Sequence, residues 1–406
     1  MDTRCERRDD CRFCHSTTLV RFLSLGSMPH AGDFLQKEQR GKESSHPLDV
    51  FLCTQCGLVQ LLHVLPASRL FTASYCFASS VSQTLVNHFR EYASYIVDTY
   101  GKDIAVLEVG CNDGVLLEPL QQHGVRVLGV DASANVTKIA QEKGIPVLTE
   151  FFSEQQAKKI VQEHGQFDII TGSNVFAHID DMHDIMRGVQ IALRDSGTYI
   201  MEVHYLVDVL ESLQYDMIYH EHLNYYSLTT LSTFFTQFGM ELVDAERTSM
   251  HGGGLRVFAR KNGSKTERLK QLLEQEQKMR ITDEATFHAF ATKVAAHKEQ
   301  LCAVLQDVQQ RGGCIAGYGA SGRANTVLNY CGIGTETIQY ILDDSPLRAG
   351  TYTPGTHIPI VLPKDRPEPA TYMVLLAWNY AAEIMEREKG HDEQFIITFP
   401  EPKLLN

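Results

Sequence analysis

Eight consecutive residues, Tyr219-His220-Glu221-His222-Leu223-Asn224-Tyr225-Tyr226, gather two imidazoles, one carboxylate and three phenols. Imidazole titrates at about pH 6.5, which makes it the natural proton acceptor near neutrality. A neighbouring carboxylate fixes its tautomer and raises its basicity. The stretch therefore suits proton abstraction from a weak acid. Two other readings stay open. Histidines two apart align on a strand and could hold a metal, although they do not share a helix face as in H-E-x-x-H. The stretch also reads as solvated surface, with Tyr225 and Tyr226 as core. A second chemical cluster is Ser173-Asn174-Val175-Phe176-Ala177-His178-Ile179. It follows a strand pattern at 168–172, and residues beyond a strand's carboxyl end face the ligand crevice of a parallel sheet.

The elements preceding these clusters point to a cofactor. An apolar run from Ile104 leads into Glu108-Val109-Gly110-Cys111-Asn112-Asp113-Gly114, and a helical pattern follows. A second apolar run, 125–130, ends in Asp131. This is a strand, a glycine-bearing turn, a helix, and a strand with a terminal acid. The glycines let the backbone approach a ligand, and the acid can accept hydrogen bonds from ribose hydroxyls. Gly110 and Gly114 would form the turn beside the cofactor's amino-acid end, with Glu108 and Asn112 at the strand end. After a third strand pattern, Glu150 and Phe151 suit an adenine amino group and ring face. The turn lacks the G-x-G-x-x-G spacing of NAD sites. It resembles the S-adenosylmethionine site of class I methyltransferases.

Four further ligand-type residues lie upstream, as Cys11-x-x-Cys14 and Cys53-x-x-Cys56-Gly57. Two such knuckles can close a tetrahedral zinc site. The pairs are 38 residues apart, more than in common zinc ribbons. Cys11-Arg12-Phe13-Cys14-His15 also matches a haem attachment pattern, but that leaves Cys53 and Cys56 unused. A redox C-x-x-C is a further reading. Structural zinc uses all four. Downstream, Gly317-x-Gly319-x-x-Gly322 follows a strand pattern, opens a helical one, and has Asp343-Asp344 about twenty residues on. It could bind NAD. Its helix N-terminus and Arg323 could instead bind the diphosphate of a nucleotide-linked substrate.

A chain of 406 residues exceeds one core, so several domains are expected. Strand and helix signals alternate from 104 to about 258 and again from 314, which predicts α/β architecture with mostly parallel sheets. Residues 264–311 predict one or two amphipathic helices broken near Thr282-Asp283. The boundaries expected are 1–80, 81–262, a helical linker at 263–311, and 312–406. The net charge of −13 and the lack of a basic stripe argue against nucleic acid. Met1–Asp10 lacks an apolar core, so no signal peptide is expected, and no run reaches membrane-spanning length. Scattered cysteines suit a reducing cytoplasm.

Taken together, these stretches resemble the S-adenosylmethionine-dependent sugar C-methyltransferases, which act on nucleotide-linked 4-keto-6-deoxysugars. The match runs in order through both cysteine pairs, 108–114, Asn174…His178, 219–222 and His251-Gly252-Gly253. It continues through Gly317-Tyr318-Gly319-Ala320, Asn329…Gly332-Ile333, Pro354-Gly355-Thr356-His357-Ile358-Pro359 and Trp378-Asn379. The resemblance implies a small zinc-binding N-terminal domain, a central class I methyltransferase domain with a Rossmann-like fold, and a smaller Rossmann-like C-terminal domain. It implies His222 as base, Glu221 and Tyr219 as orienting groups, His178 as a catalytic partner, and Asn174 beside the cofactor. For the substrate it implies Tyr75, Ser79, Ser80, Asn224 and His251, and in the C-terminal part Tyr318, Arg323, His357 and Asn379. The family's Y-x-Y-x-S-S stretch reads Tyr75-Cys76-Phe77-Ala78-Ser79-Ser80 here, with one phenol lost. The expected partner is a nucleotide-linked keto sugar. Other readings are C-methylation of a non-sugar carbonyl compound, an NAD-dependent sugar oxidoreductase, and a non-enzymatic zinc-containing nucleotide sensor.

Overall fold

The computed structural model describes residues 5–70, 78–367 and 369–405. Its N-terminal part carries more regular structure than the sequence suggests. Leu19–Pro29, Ser45–Cys53 and Val59–Leu61 form an antiparallel sheet. Register shifts between Arg21 and Leu23 and between Ser24 and Ser27 break the inside–outside alternation of the longest strand. Such bulges erase the period of two on which strand reading depends. The fourth strand of this sheet is Asn224–Tyr225, which pairs with Val59–Leu61. The segment holding the histidine cluster thus crosses into the N-terminal sheet.

The central sheet has seven strands in the order Glu241–Thr248, Gly254–Arg260, Leu193–Val203, Phe167–Ser173, Ala105–Val109, Arg126–Val130, Val147–Leu148. The last five are parallel. Gly254–Arg260 runs antiparallel to both its neighbours. Glu241–Thr248 escapes the sequence reading because charged Glu241, Asp244, Glu246 and Arg247 interrupt its apolar residues. The strand order reverses between Ala105–Val109 and Phe167–Ser173. A crevice opens at such a switch point, beyond the carboxyl ends of the strands.

Two helices, Glu267–Met279 and Glu284–Arg311, break where expected, with Arg280 in the left-handed region and Asp283 at the second N-cap. The buried Glu276 accepts the N–H groups of Leu228 and Thr229, and so caps the helix Leu228–Thr236. The C-terminal sheet has six strands, in the order Ile360–Val361, Tyr340–Leu342, Ile315–Tyr318, Tyr372–Leu375, Gln394–Ile397, Lys403–Leu404. All pair in parallel except the last. Among the described residues no helix is long and apolar enough to cross a membrane.

Candidate active site

One cavity of about 1400 Å³ is lined by residues of all three sheets' regions. A single small ligand fills roughly 300–1,000 Å³, so this volume suits two. Its central-domain wall is the switch point. Gly110 turns back at φ 72° so that its N–H donates to the Val130 carbonyl at 2.7 Å. A Cβ there would meet Val175 Cγ2 at 2.6 Å, so the close turn requires glycine. Asn112 follows at φ 49°, a region asparagine tolerates. Asp131 accepts the N–H groups of Asn112 at 3.0 Å and Ser133 at 2.8 Å, which locks turn to acid. Asn174 (φ 57°), Glu150 and the half-exposed Phe151 complete this end. The cradle fits the amino-acid, ribose and adenine parts of S-adenosylmethionine. Asp131→Ala removes a charged acceptor, worth roughly 1.5–3 kcal/mol. We expect S-adenosylmethionine binding to weaken about 10–100-fold by calorimetry.

The imidazoles of His178, His204 and His222 line the cavity together. Residues 219–222 form a turn after the short 3-10 helix Tyr215–Met217 and before the strand Asn224–Tyr225. His222 Nδ1 lies 2.8 Å from the Met217 carbonyl, to which it donates. Its Nε2 therefore carries the lone pair and accepts from the Tyr219 phenol at 2.7 Å. Burial, with His204 and His178 alongside, holds the His222 pKa well below its ordinary value, so the ring is neutral. His204 stacks on it at 4.9 Å and His178 stands at 5.0 Å. His178 Nδ1 donates to the Glu221 carbonyl at 2.8 Å, and the Asn174 backbone also bonds the ring. His220 points elsewhere, to the His46 carbonyl, so the two histidines do not share a ligand.

The C-terminal wall is the glycine turn. Ser321 caps the helix Gly322–Cys331, and a Cβ on Gly322 would lie 3.6 Å from the Tyr219 ring. This helix pins the turn at 219–222. Thr326 donates to the Ile218 carbonyl, and Arg323 and Trp378 both donate to Asp216 at 2.8 Å. Asp343 accepts the Ala320 and Ser345 N–H groups at 2.7 and 2.8 Å, so it holds the turn itself.

The four cysteines converge as expected. Their sulfurs lie within 4.8 Å of one another, with Cys11–Cys56 at 3.5 Å and Cys14–Cys53 at 3.6 Å. A zinc–thiolate tetrahedron with bonds of about 2.3 Å needs sulfurs roughly 3.8 Å apart. It is the one such metal-ligand cluster among the described residues.

Residues 11–71, 85–245 and 249–400 match, respectively, a zinc binding domain, a methyltransferase domain and the C-methyltransferase C-terminal domain. The C-methyltransferase NovU of Streptomyces niveus is 34% identical over 408 residues, covering 98% of this chain and 97% of that one. The chain belongs to the C-methyltransferase family. A ubiquinone biosynthesis O-methyltransferase of Methylobacterium sp. (strain 4-46) is 30% identical over 100 residues, which is 24% of this chain and 39% of that one. The magnesium protoporphyrin IX methyltransferase of Synechocystis PCC 6803 aligns at a TM-score of 0.35 and 18% identity, over 44% of this chain and 83% of that one. This C-methyltransferase uses S-adenosylmethionine and carries a four-cysteine zinc site in its N-terminal domain.

Not every residue singled out in the sequence lines the C-methyltransferase cavity. His178, Tyr219, Glu221, His222, Ser79, Tyr318, Arg323 and Asn379 do. Glu108 is buried and lines no part of the cavity, and burial, Asp131 and Asp113 push its carboxyl well above the usual range. Gly114 packs on Ile145, which a Cβ would meet at 2.4 Å. Asn224 is a structural tie: it is fully buried and donates to the Ile179 carbonyl at 2.9 Å. His357 pairs with Glu43 away from the cavity. Ser80 is exposed, and its N–H donates to Asp113. Tyr75 and Phe77 lie outside the described residues, and His251 is described by its backbone alone, in the short turn Met250–Gly252. Tyr225 and Tyr226 are core. Lining residues that the sequence reading did not single out include His30, His204, Arg348 and Arg387. His204 directly follows the strand Leu193–Val203, so the rule that found Asn174 applies to it equally.

Proposed function

We propose that this enzyme methylates a carbon alpha to the ketone of a nucleotide-linked deoxysugar. The observation that carries this reading is the Tyr219–His222 pair, set between the cofactor cradle and the C-terminal glycine turn in one cavity. Bound S-adenosylmethionine supplies an electrophilic methyl group. The neighbouring ketone makes the carbon acid. The Tyr219 oxygen and His222 Nε2 are 2.7 Å apart, close to the separation of a ketone oxygen from the hydrogen on its neighbouring carbon. A ketone entering here takes the Tyr219 hydrogen bond and frees Nε2 for that hydrogen. His222 then holds the proton while the phenol steadies the enolate oxygen, where preorganised donors act most strongly.

The glycine turn suits the diphosphate, through the N-terminus of the helix Gly322–Cys331 and the nearby Arg323, Arg348 and Arg387. Asp343, the acid at the ribose position of an NAD fingerprint, accepts the turn's own N–H groups as Asp131 does, but unlike Asp131 it is also ion-paired, with Arg348 at 3.0 Å. We therefore expect titration with NADH to give no tight binding. The deciding experiment supplies labelled methyl donor and a panel of nucleotide-linked keto sugars, then locates the label by mass spectrometry and NMR. Label on a carbon next to the ketone is expected. Label on oxygen, or on a non-sugar carbonyl compound alone, overturns the reading.

A further inference from the structure

The cavity-lining imidazole of His30 has no part in the scheme above. His30 follows the strand Leu19–Pro29 of the N-terminal sheet and is 4% exposed. Its ring stands between two carboxylates, with Nδ1 3.1 Å from Asp33 and Nε2 2.8 Å from Glu221. Gly32 reserves the space. A Cβ there would meet Glu221 Oε1 at 2.7 Å and His30 Cε1 at 3.0 Å. The loop is held from two other directions. Arg69 bonds the far side of Asp33 at 3.1 Å, and Asn325 of the C-terminal helix donates to the Ala31 carbonyl at 2.7 Å.

From this juxtaposition we infer that His30 is a positioning residue of the methyl-transfer site, clamping Glu221 so that an ionised carboxylate faces the substrate. The inference rests on the proposed function, because it assigns Glu221 to that site. A buried carboxylate without a partner takes up a proton. Burial acts on both groups, and the pairing overrides it. His30 is pushed up to about 9, and Glu221 is held below the usual carboxylate range. The other charged or titratable groups around the pair are Asp33 and Arg69, His46 and His220 beside His30, and His178 beside Glu221. A donor that merely filled space would need no second acid behind it. Asp33 keeps the imidazole charged, and the charge keeps Glu221 ionised.

Two measurements on the full-length, zinc-loaded enzyme test this. Nitrogen-15 histidine NMR needs no substrate, so it stands apart from the identity of the substrate. One imidazole should titrate near 9, disappear in His30→Gln, and shift to lower pH in Glu221→Gln. The pH–rate profile is the second readout. With His30→Gln the acid limb of kcat/KM should move up by roughly one unit or more, as the clamp is lost and burial acts unopposed. His30→Lys, which restores a cation, should bring the limb back, and S-adenosylmethionine affinity should stay unchanged in both. An acid limb that stays put in a folded His30→Gln enzyme overturns the inference, as does a wild-type spectrum with no imidazole titrating above 7. If the variants lose zinc or fail to melt cooperatively, the wild-type and Glu221→Gln spectra decide. If no keto sugar is turned over while the imidazole titrates as expected, the substrate reading fails and the clamp stands.

Discussion

Replacing His222 by asparagine should lower turnover by roughly 10²–10⁴-fold, the usual contribution of a positioned base. S-adenosylmethionine binding should persist, because the cradle at Gly110, Asn112 and Asp131 does not use that ring. Asparagine can still donate toward the Met217 carbonyl, so the turn keeps its anchor while the basic nitrogen is lost. Tyr219→Phe should cost about 10²–10³-fold, the range for one oxyanion donor. The double variant should fall little below His222→Asn alone, since groups acting as a unit are not additive. Exchange of solvent deuterium into the substrate, without methyl donor, isolates the proton step. Near-full exchange by His222→Asn would remove the base assignment.

Stripping the zinc should lower turnover as severely, although none of the four zinc-site cysteines lines the cavity. Cys53 ends the strand Ser45–Cys53, which pairs with Val59–Leu61, which pairs with Asn224–Tyr225. His222 is two residues before that last strand. The Leu61 N–H also donates to the Leu223 carbonyl at 2.9 Å. Phe13, inside the first knuckle, stacks on Phe234 at 3.7 Å, and Arg12 reaches the Leu61 carbonyl and Asp180. Structural zinc contributes about 10–16 kcal/mol to domains of this kind, which rivals a whole domain's stability. A shift of one ångström at a reacting centre can cost about 10²-fold. We expect chelation to abolish turnover by roughly that factor or more, with methyl-donor affinity largely retained and activity restored by added zinc. Unchanged kcat in zinc-free protein would show that the module stands apart from the chemistry.

The parts legible in the sequence are those with local signatures. The strand, turn and acid from 105 to 131 obey fixed spacings, the cysteine pairs announce themselves, and the two long helices show their break. The parts that escaped are non-local. His30 is a lone histidine after a proline, and its role depends on Glu221 from a distant segment. Asn224 looks like a polar site residue and is a strand residue in another sheet. Arg348 and Arg387 sit on irregular or short elements with no motif around them. Asp343 fits a ribose-binding pattern by spacing, yet its oxygens are shared between neighbouring amides and the guanidinium of Arg348.

The shared strand also bears on how such enzymes can be recombined. A chimaera that exchanges only the amino-terminal cysteine module between relatives would set a foreign edge against residues 224 and 225. Specificity swaps in this lineage should therefore succeed when the stretch from 219 to 226 travels with the donor's cysteine module, and fail when the crossover follows the apparent domain boundary.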